Sequence, residues 1–94
     1  MSKIIKERYY IEFYALECEM STRIKISKKE YLANLNKLTK LSLLSVREEW
    51  ENCLKADVRV KEYDGCHITA STFTIGCSDT TLYKVTAKDG YTLE

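Results

Sequence analysis

DVRVKEYDGCHITASTFTI, running from Asp57 to Ile75, is the stretch whose reading decides the fold. Apolar, aromatic and β-branched residues recur at every second position on both sides of Asp64-Gly65, which is the pattern of two strands around a tight turn. Two loop lengths compete. A one-residue difference between them turns every side chain of one strand to the opposite face. A two-residue loop sets Val58 and Val60 against Ser71 and Thr69. A three-residue loop of Tyr63, Asp64 and Gly65 pairs Glu62 with Cys66, Val60 with Ile68 and Val58 with Ala70. The second choice gathers Val58, Val60, Ile68 and Ala70 on one face, so apolar matching selects it. Gly65 would then supply the positive φ of a bulged turn.

VTAKDGYTL, Val85 to Leu93, repeats the V-x-x-x-Asp-Gly spacing of Val60 to Gly65. The same rule makes Lys88, Asp89 and Gly90 a loop, with Ala87 against Tyr91 and Val85 against Leu93. The shared pattern is thus expected to be turn chemistry rather than a duplicated functional loop. Between the two hairpins, residues 76–80 (GCSDT) return the chain.

Upstream of Asp57 the period changes. Residues 7–18 (ERYYIEFYALEC) alternate Tyr9, Ile11, Phe13 and Ala15 with Tyr10, Glu12, Tyr14 and Leu16, which predicts a strand with an Ile11/Phe13 core face. A turn within 17–21 leads to a second strand carrying Thr22, Ile24 and Ile26. Ser27-Lys28-Lys29-Glu30 is a capping box. Tyr31, Leu35 and Leu38 then share one side of a helix, with Lys29, Asn36 and Lys40 opposite. Leu41 and Leu44 leave that stripe, and Ser45-Val46-Arg47-Glu48 repeats the capping box. This predicts a kink at 41–45 and a second helix over 46–55, with Glu48, Glu49 and Glu51 favourably placed at its N-terminus. One long bent helix is the alternative.

The order is β-β-α-α-β-β-β-β with short connections. We expect an α+β fold in a single domain, 1–94: an antiparallel sheet of five to six strands with one or two helices on one face. Ninety-four residues suffice for one modest core. With 45% apolar and 31% charged residues the chain is globular. No apolar run is long enough to span a membrane, and the first residues carry no apolar signal segment, so a cytoplasmic setting is expected. Cys18, Cys53, Cys66 and Cys77 form no C-x-x-C pair and read as reduced thiols. Net charge is +1, divided as +5 over residues 1–47 and −4 over 48–94. That balance excludes a DNA mimic or a strong duplex binder.

Catalytic chemistry finds little support. His67 is the sole histidine. The three-residue register sets it on the polar face opposite Lys61, while Cys66 points the other way, so the two form no catalytic couple. Cys53, Cys66, His67 and Cys77 match no zinc-ligand spacing. Phosphate-binding and hydrolase motifs are lacking. No enzyme activity, metal or cofactor is expected.

Seven tyrosines and one tryptophan point instead to binding. Tyr10, Tyr14 and Leu16 occupy the face of the first strand opposite the core face, where a partner or a second copy of the chain could cover them. Lys29, Lys40 and Arg47, with Lys28 and Lys37 nearby, form a basic helix face. It would meet an acidic protein groove or, as a second reading, the phosphates of a nucleic acid. A short proline-free α+β chain without catalytic motifs is similar to accessory proteins of phages and other mobile elements. That resemblance lies in composition alone. It implies a stoichiometric inhibitor of a host defence protein, such as an anti-CRISPR-like protein, that acts by occupying a partner surface.

Overall fold

The computed structural model describes residues 5–15, 17–63 and 66–88. Its elements are strands β1 (Ile5–Ala15) and β2 (Met20–Ile26), helix α1 (Lys28–Arg47), and strands β3 (Lys55–Tyr63), β4 (Cys66–Ile75) and β5 (Ser78–Lys88). The strands make one antiparallel sheet in the order β2-β1-β5-β4-β3. The α+β architecture expected from the periodicity is present, with five strands and a single helix on one face among the described residues.

The capping box at Ser27 forms as the sequence requires. Ser27 Oγ accepts the Glu30 N–H at 3.1 Å, and Glu30 Oε1 accepts the Ser27 N–H at 3.3 Å. The helix then runs to Arg47 without a break, so the kink at 41–45 and the second helix over 46–55 are absent. Its end is a Schellman motif: Glu49 N–H bonds Val46 C=O at 3.2 Å and Trp50 N–H bonds Ser45 C=O at 3.0 Å. Glu49 supplies the left-handed residue, with φ of 54°. Glu48, Glu49 and Glu51 therefore cluster at the negative end of a helix dipole, the reverse of the placement expected from Ser45-Val46-Arg47-Glu48. Ser45 is instead a fully buried residue of the helix.

Across the helix-side face of the sheet, register aligns Ile24, Ile11, Leu82, Ser71 and Val58 in one row, and Ile26, Tyr9, Lys84, Thr69 and Val60 in the next. The helix approaches β1, β3, β4 and β5 but leaves Ile24, Val58 and Val60 exposed. Tyr9, Ile11, Tyr31, Leu54, Phe73 and Leu82 form the main core, with Ile26, Leu35, Leu38 and Leu41 against it. Leu82, on the central strand beneath the helix, is 0% exposed. Phe13, expected in the core, lies beyond the helix and is 47% exposed.

The Asp64-Gly65 hairpin corrects the three-residue reading. Tyr63 pairs with Cys66, Glu62 with His67, Val60 with Thr69 and Val58 with Ser71, which is the two-residue loop. The reason lies in topology. β3 is an edge strand, and Val58 and Val60 are 61% and 55% exposed. Apolar matching had no core to serve there and could not choose the register. In consequence His67 faces Glu62, not Lys61. Of the Lys88-Asp89-Gly90 hairpin, Lys88 continues β5 and Asp89 and Gly90 lie outside the described residues. β5 is the middle strand, so Val85 already lies between Arg8 and Ile68, and Ala87 between Lys6 and Cys66. Both of their edges are taken, and Tyr91 and Leu93 lie outside the described residues. The return between β4 and β5 is tighter than 76–80: Ile75 pairs with Ser78 around Gly76, whose φ is 57°.

Candidate functional site

The second sheet face is not a bare aromatic platform. Cys66, Ile68 and Val85 are buried there in a small cluster of their own, and Tyr10 and Tyr83 pack against it. The register sets Tyr10 directly opposite Tyr83. The Tyr83 hydroxyl donates to Glu12 Oε1 at 3.0 Å, and the Arg23 guanidinium stands 6.0 Å from the Tyr10 ring centre. Burial, then this bond to Glu12, pushes the Tyr83 phenol above its ordinary value. These contacts hold both rings against the sheet, so the half-buried Tyr10 offers less free surface than strand alternation suggested. Tyr14 lies farther along β1, beside a shallow depression of about 280 Å³ that Phe13, Met20, Thr22 and Asp79 also line. Leu16 lies outside the described residues.

The outer side of α1 is more open. At about 100° per residue, Lys29, Lys40 and Arg47 fall within a narrow stripe opposite Tyr31, Leu38 and Ser45. All three cations are exposed. Leu43, 67% exposed, lies on the same stripe, and the exposed Leu32 flanks it. Lys40, Leu43, Leu44 and Arg47 line an open depression of about 380 Å³. The structure thus brings Lys40 and Arg47 together around an apolar floor, with Lys29 three turns away. Leu32, Leu43 and Val46 are surface residues that the sequence reading missed. Dividing the segment at 41–45 restarted the helical phase and hid the alignment of Leu43 with Lys40 and Arg47.

The negative charges matter as much. Glu48, Glu49 and Glu51 are exposed at the same end as Arg47, and Trp50 Nε1 donates to Glu48 Oε2 at 3.3 Å. This end of the helix therefore presents both signs of charge around apolar side chains. His67 is exposed and its Nδ1 lies 3.1 Å from Glu62 Oε1. Cys66 is buried in the second-face cluster, so the two neighbours do point apart as strand alternation requires. Cys53 lies 3.2 Å from Ser45 Oγ at the helix end, and Cys18 and Cys77 are exposed. Among the described residues no three His, Cys, Asp or Glu side chains gather as a metal site, and no helix is long and apolar enough to cross a membrane.

No family model, curated protein or solved structure matches the chain.

Proposed function

We propose that this chain is a non-enzymatic protein-binding module that acts by occupying a partner surface, with the outer side of α1 as the contact. One observation carries the reading: Leu32 and Leu43 are exposed beside Lys29, Lys40 and Arg47. Exposed apolar side chains rimmed by charge are the composition of a protein interface. The compositional resemblance to mobile-element accessory proteins gives this activity its form: stoichiometric inhibition of a host defence protein.

Nucleic-acid binding through the same cations is the second reading. Phosphate binding rests on a clustered excess of positive charge. Here leucines interrupt it and three glutamates adjoin Arg47, which favours the protein partner.

Affinity capture from the native host, followed by reconstitution of the complex from two purified proteins, tests the reading. The expected result is a fixed-stoichiometry complex that Leu43→Glu weakens at least about tenfold, the loss of one buried leucine contact. Binding to single-stranded or duplex DNA that falls steeply with salt, and is lost in Lys40→Glu/Arg47→Glu, would replace it with the second reading.

A further inference from the structure

Strand β3 is exposed on both of its faces from Lys55 through Glu62, and it is one of the two outer strands of the sheet. Tyr63 and Cys66 close a two-residue connection, and such a closing pair exchanges both backbone hydrogen bonds. Counting back along the ladder, the odd-numbered residues bond inward to β4. Ala56, Val58 and Val60 then turn their N–H and C=O groups outward. Their side chains lie on the helix side of the sheet, while those of Lys55, Asp57, Arg59 and Lys61 lie on the other.

We propose that a second copy of this chain pairs with β3, antiparallel, about a two-fold axis at Val58, making one ten-stranded sheet across the dimer. The sequence of the edge is self-complementary in that register. Val58 meets its own counterpart, and Ala56 meets Val60 twice, giving a continuous apolar row where isolated valines are now exposed. On the opposite side Asp57 meets Arg59 twice. Within one chain these two already bridge at 2.9 Å, with side chains 61% and 77% exposed, so each is placed to bind the other's counterpart instead. Of the neighbouring registers, an axis at Ala56 keeps a Lys55–Asp57 pairing but runs Val58 against Leu54, which is buried in the core; the others lose the charge match. Shifting the axis to Asp57 or Arg59 sets that residue against itself, and shifting it to Val60 sets Arg59 against Lys61. Like charges directly opposite one another oppose pairing. In the chosen register only Lys55 and Lys61 meet as like charges, at the outer ends, where both reach solvent.

The other outer strand selects against the same association. β2 carries Arg23 and Lys25 and no acid, so self-pairing centred on Arg23 or Ile24 sets cation against cation. The proposal concerns a surface separate from the outer side of α1 and holds whether or not that helix has a partner.

Sedimentation or light scattering of the purified chain across the micromolar range tests it. The wild type is expected to reach the dimer mass. Asp57→Arg replaces two opposite-charge pairs with two like-charge pairs and should weaken dimerisation about tenfold or more. Asp57→Arg/Arg59→Asp restores the match and should restore the dimer. Ile24→Lys on β2 should leave it intact. Circular dichroism confirms the fold of each variant, and both β3 side chains are exposed enough to change without cost to the core. A wild type that stays monomeric at high micromolar concentration overturns the proposal. So does a dimer that survives Asp57→Arg, one that the double variant fails to restore, or one that Ile24→Lys abolishes.

Discussion

Ser45 Oγ accepts the backbone N–H of Leu54 at 3.0 Å, and the two groups are buried together at the end of α1. The same hydroxyl donates to the Ser42 carbonyl at 2.8 Å, while Ser42 Oγ donates to the Leu54 carbonyl at 3.0 Å. Two helix serines thus satisfy both backbone groups of one residue. They fasten the 48–54 connection against the helix just before β3 begins, and set Leu54 in the main core. Ser45→Ala would leave a buried donor without a partner, which costs about 1–3 kcal/mol. Ser42→Ala should cost less, about 0.5–1.5 kcal/mol, because Ser42 is only half-buried and water can replace it. Urea unfolding of both variants checks the order; equal losses would mean that the Leu54 amide finds another acceptor.

Glu49 occupies a left-handed conformation, φ 54°, that glycine adopts without a Cβ clash. It also adds negative charge to the negative end of the helix dipole. Glu49→Gly removes both penalties and frees more of the unfolded chain, leaving a net stabilisation of about 0.5–1 kcal/mol. Glu48, with φ of −93°, has no such strain. Glu48→Gly should therefore bring no comparable gain, and paired thermal melts at one pH separate the two positions.

These two sites show where the sequence was legible. The Ser27 box, the Tyr31/Leu35/Leu38 stripe and the Tyr9/Ile11 alternation each combine a local rule with burial in the finished core, so pattern and structure agree. Ser45-Val46-Arg47-Glu48 satisfies the same local rule, but Ser45 is taken up by Leu54 across a connection whose closure no short-range pattern encodes. The edge strands behave alike. Val58 and Val60 have the right period and nothing to pack on, and Val85 has β1 on one side and β4 on the other, an arrangement its own period does not announce. That occupancy depends on pairing β1 with β5, some seventy residues apart. Of the candidate site, Lys29 and Lys40 were legible from helical spacing; the alignment of Arg47 with them, and of the leucines beside them, needed the unbroken helix.

Tyr9 gives the fold a sign-definite response to pH. Its ring packs on Tyr31 with centroids 4.9 Å apart, and its hydroxyl donates to Glu7. Burial, then the bond to Glu7, pushes the phenol up to about 12 from 10.0. A raised pKa means that the folded state holds the proton longer than the unfolded chain. The stability tied to Tyr9 is complete below pH 10 and is lost as pH rises toward 12. Burial raises Tyr31 in the same direction. Glu7 responds oppositely. The Tyr9 bond first, and Lys84 at 3.9 Å, hold its carboxyl below 4.5, so its contribution fades as pH falls through that range. The urea midpoint should therefore be flat near neutrality and drop above pH 10. Tyr9→Phe should soften that drop and return the Glu7 carboxyl, followed by NMR, toward its ordinary value. A Glu7 titration unchanged in Tyr9→Phe would show that the hydroxyl does not hold it.

The register of the Asp64-Gly65 hairpin can be read by cross-linking. With the two-residue loop, Val60 and Thr69 are direct neighbours on one face. They form a non-hydrogen-bonded pair, with Cα atoms about 4.5 Å apart, inside the range a disulfide spans. Ile68 points to the opposite face and cannot be reached from Val60 without moving the backbone. With the exposed Cys18 and Cys77 replaced by serine, Val60→Cys/Thr69→Cys should close a bridge under mild oxidation. Val60→Cys/Ile68→Cys should keep its thiols. Alkylation and mass spectrometry of the monomer fraction count the free sulfurs in each. The opposite outcome would return Val58, Val60, Ile68 and Ala70 to a single face. It would also move the charges of β3 to the helix side of the sheet, so the same measurement fixes which side of the edge is apolar.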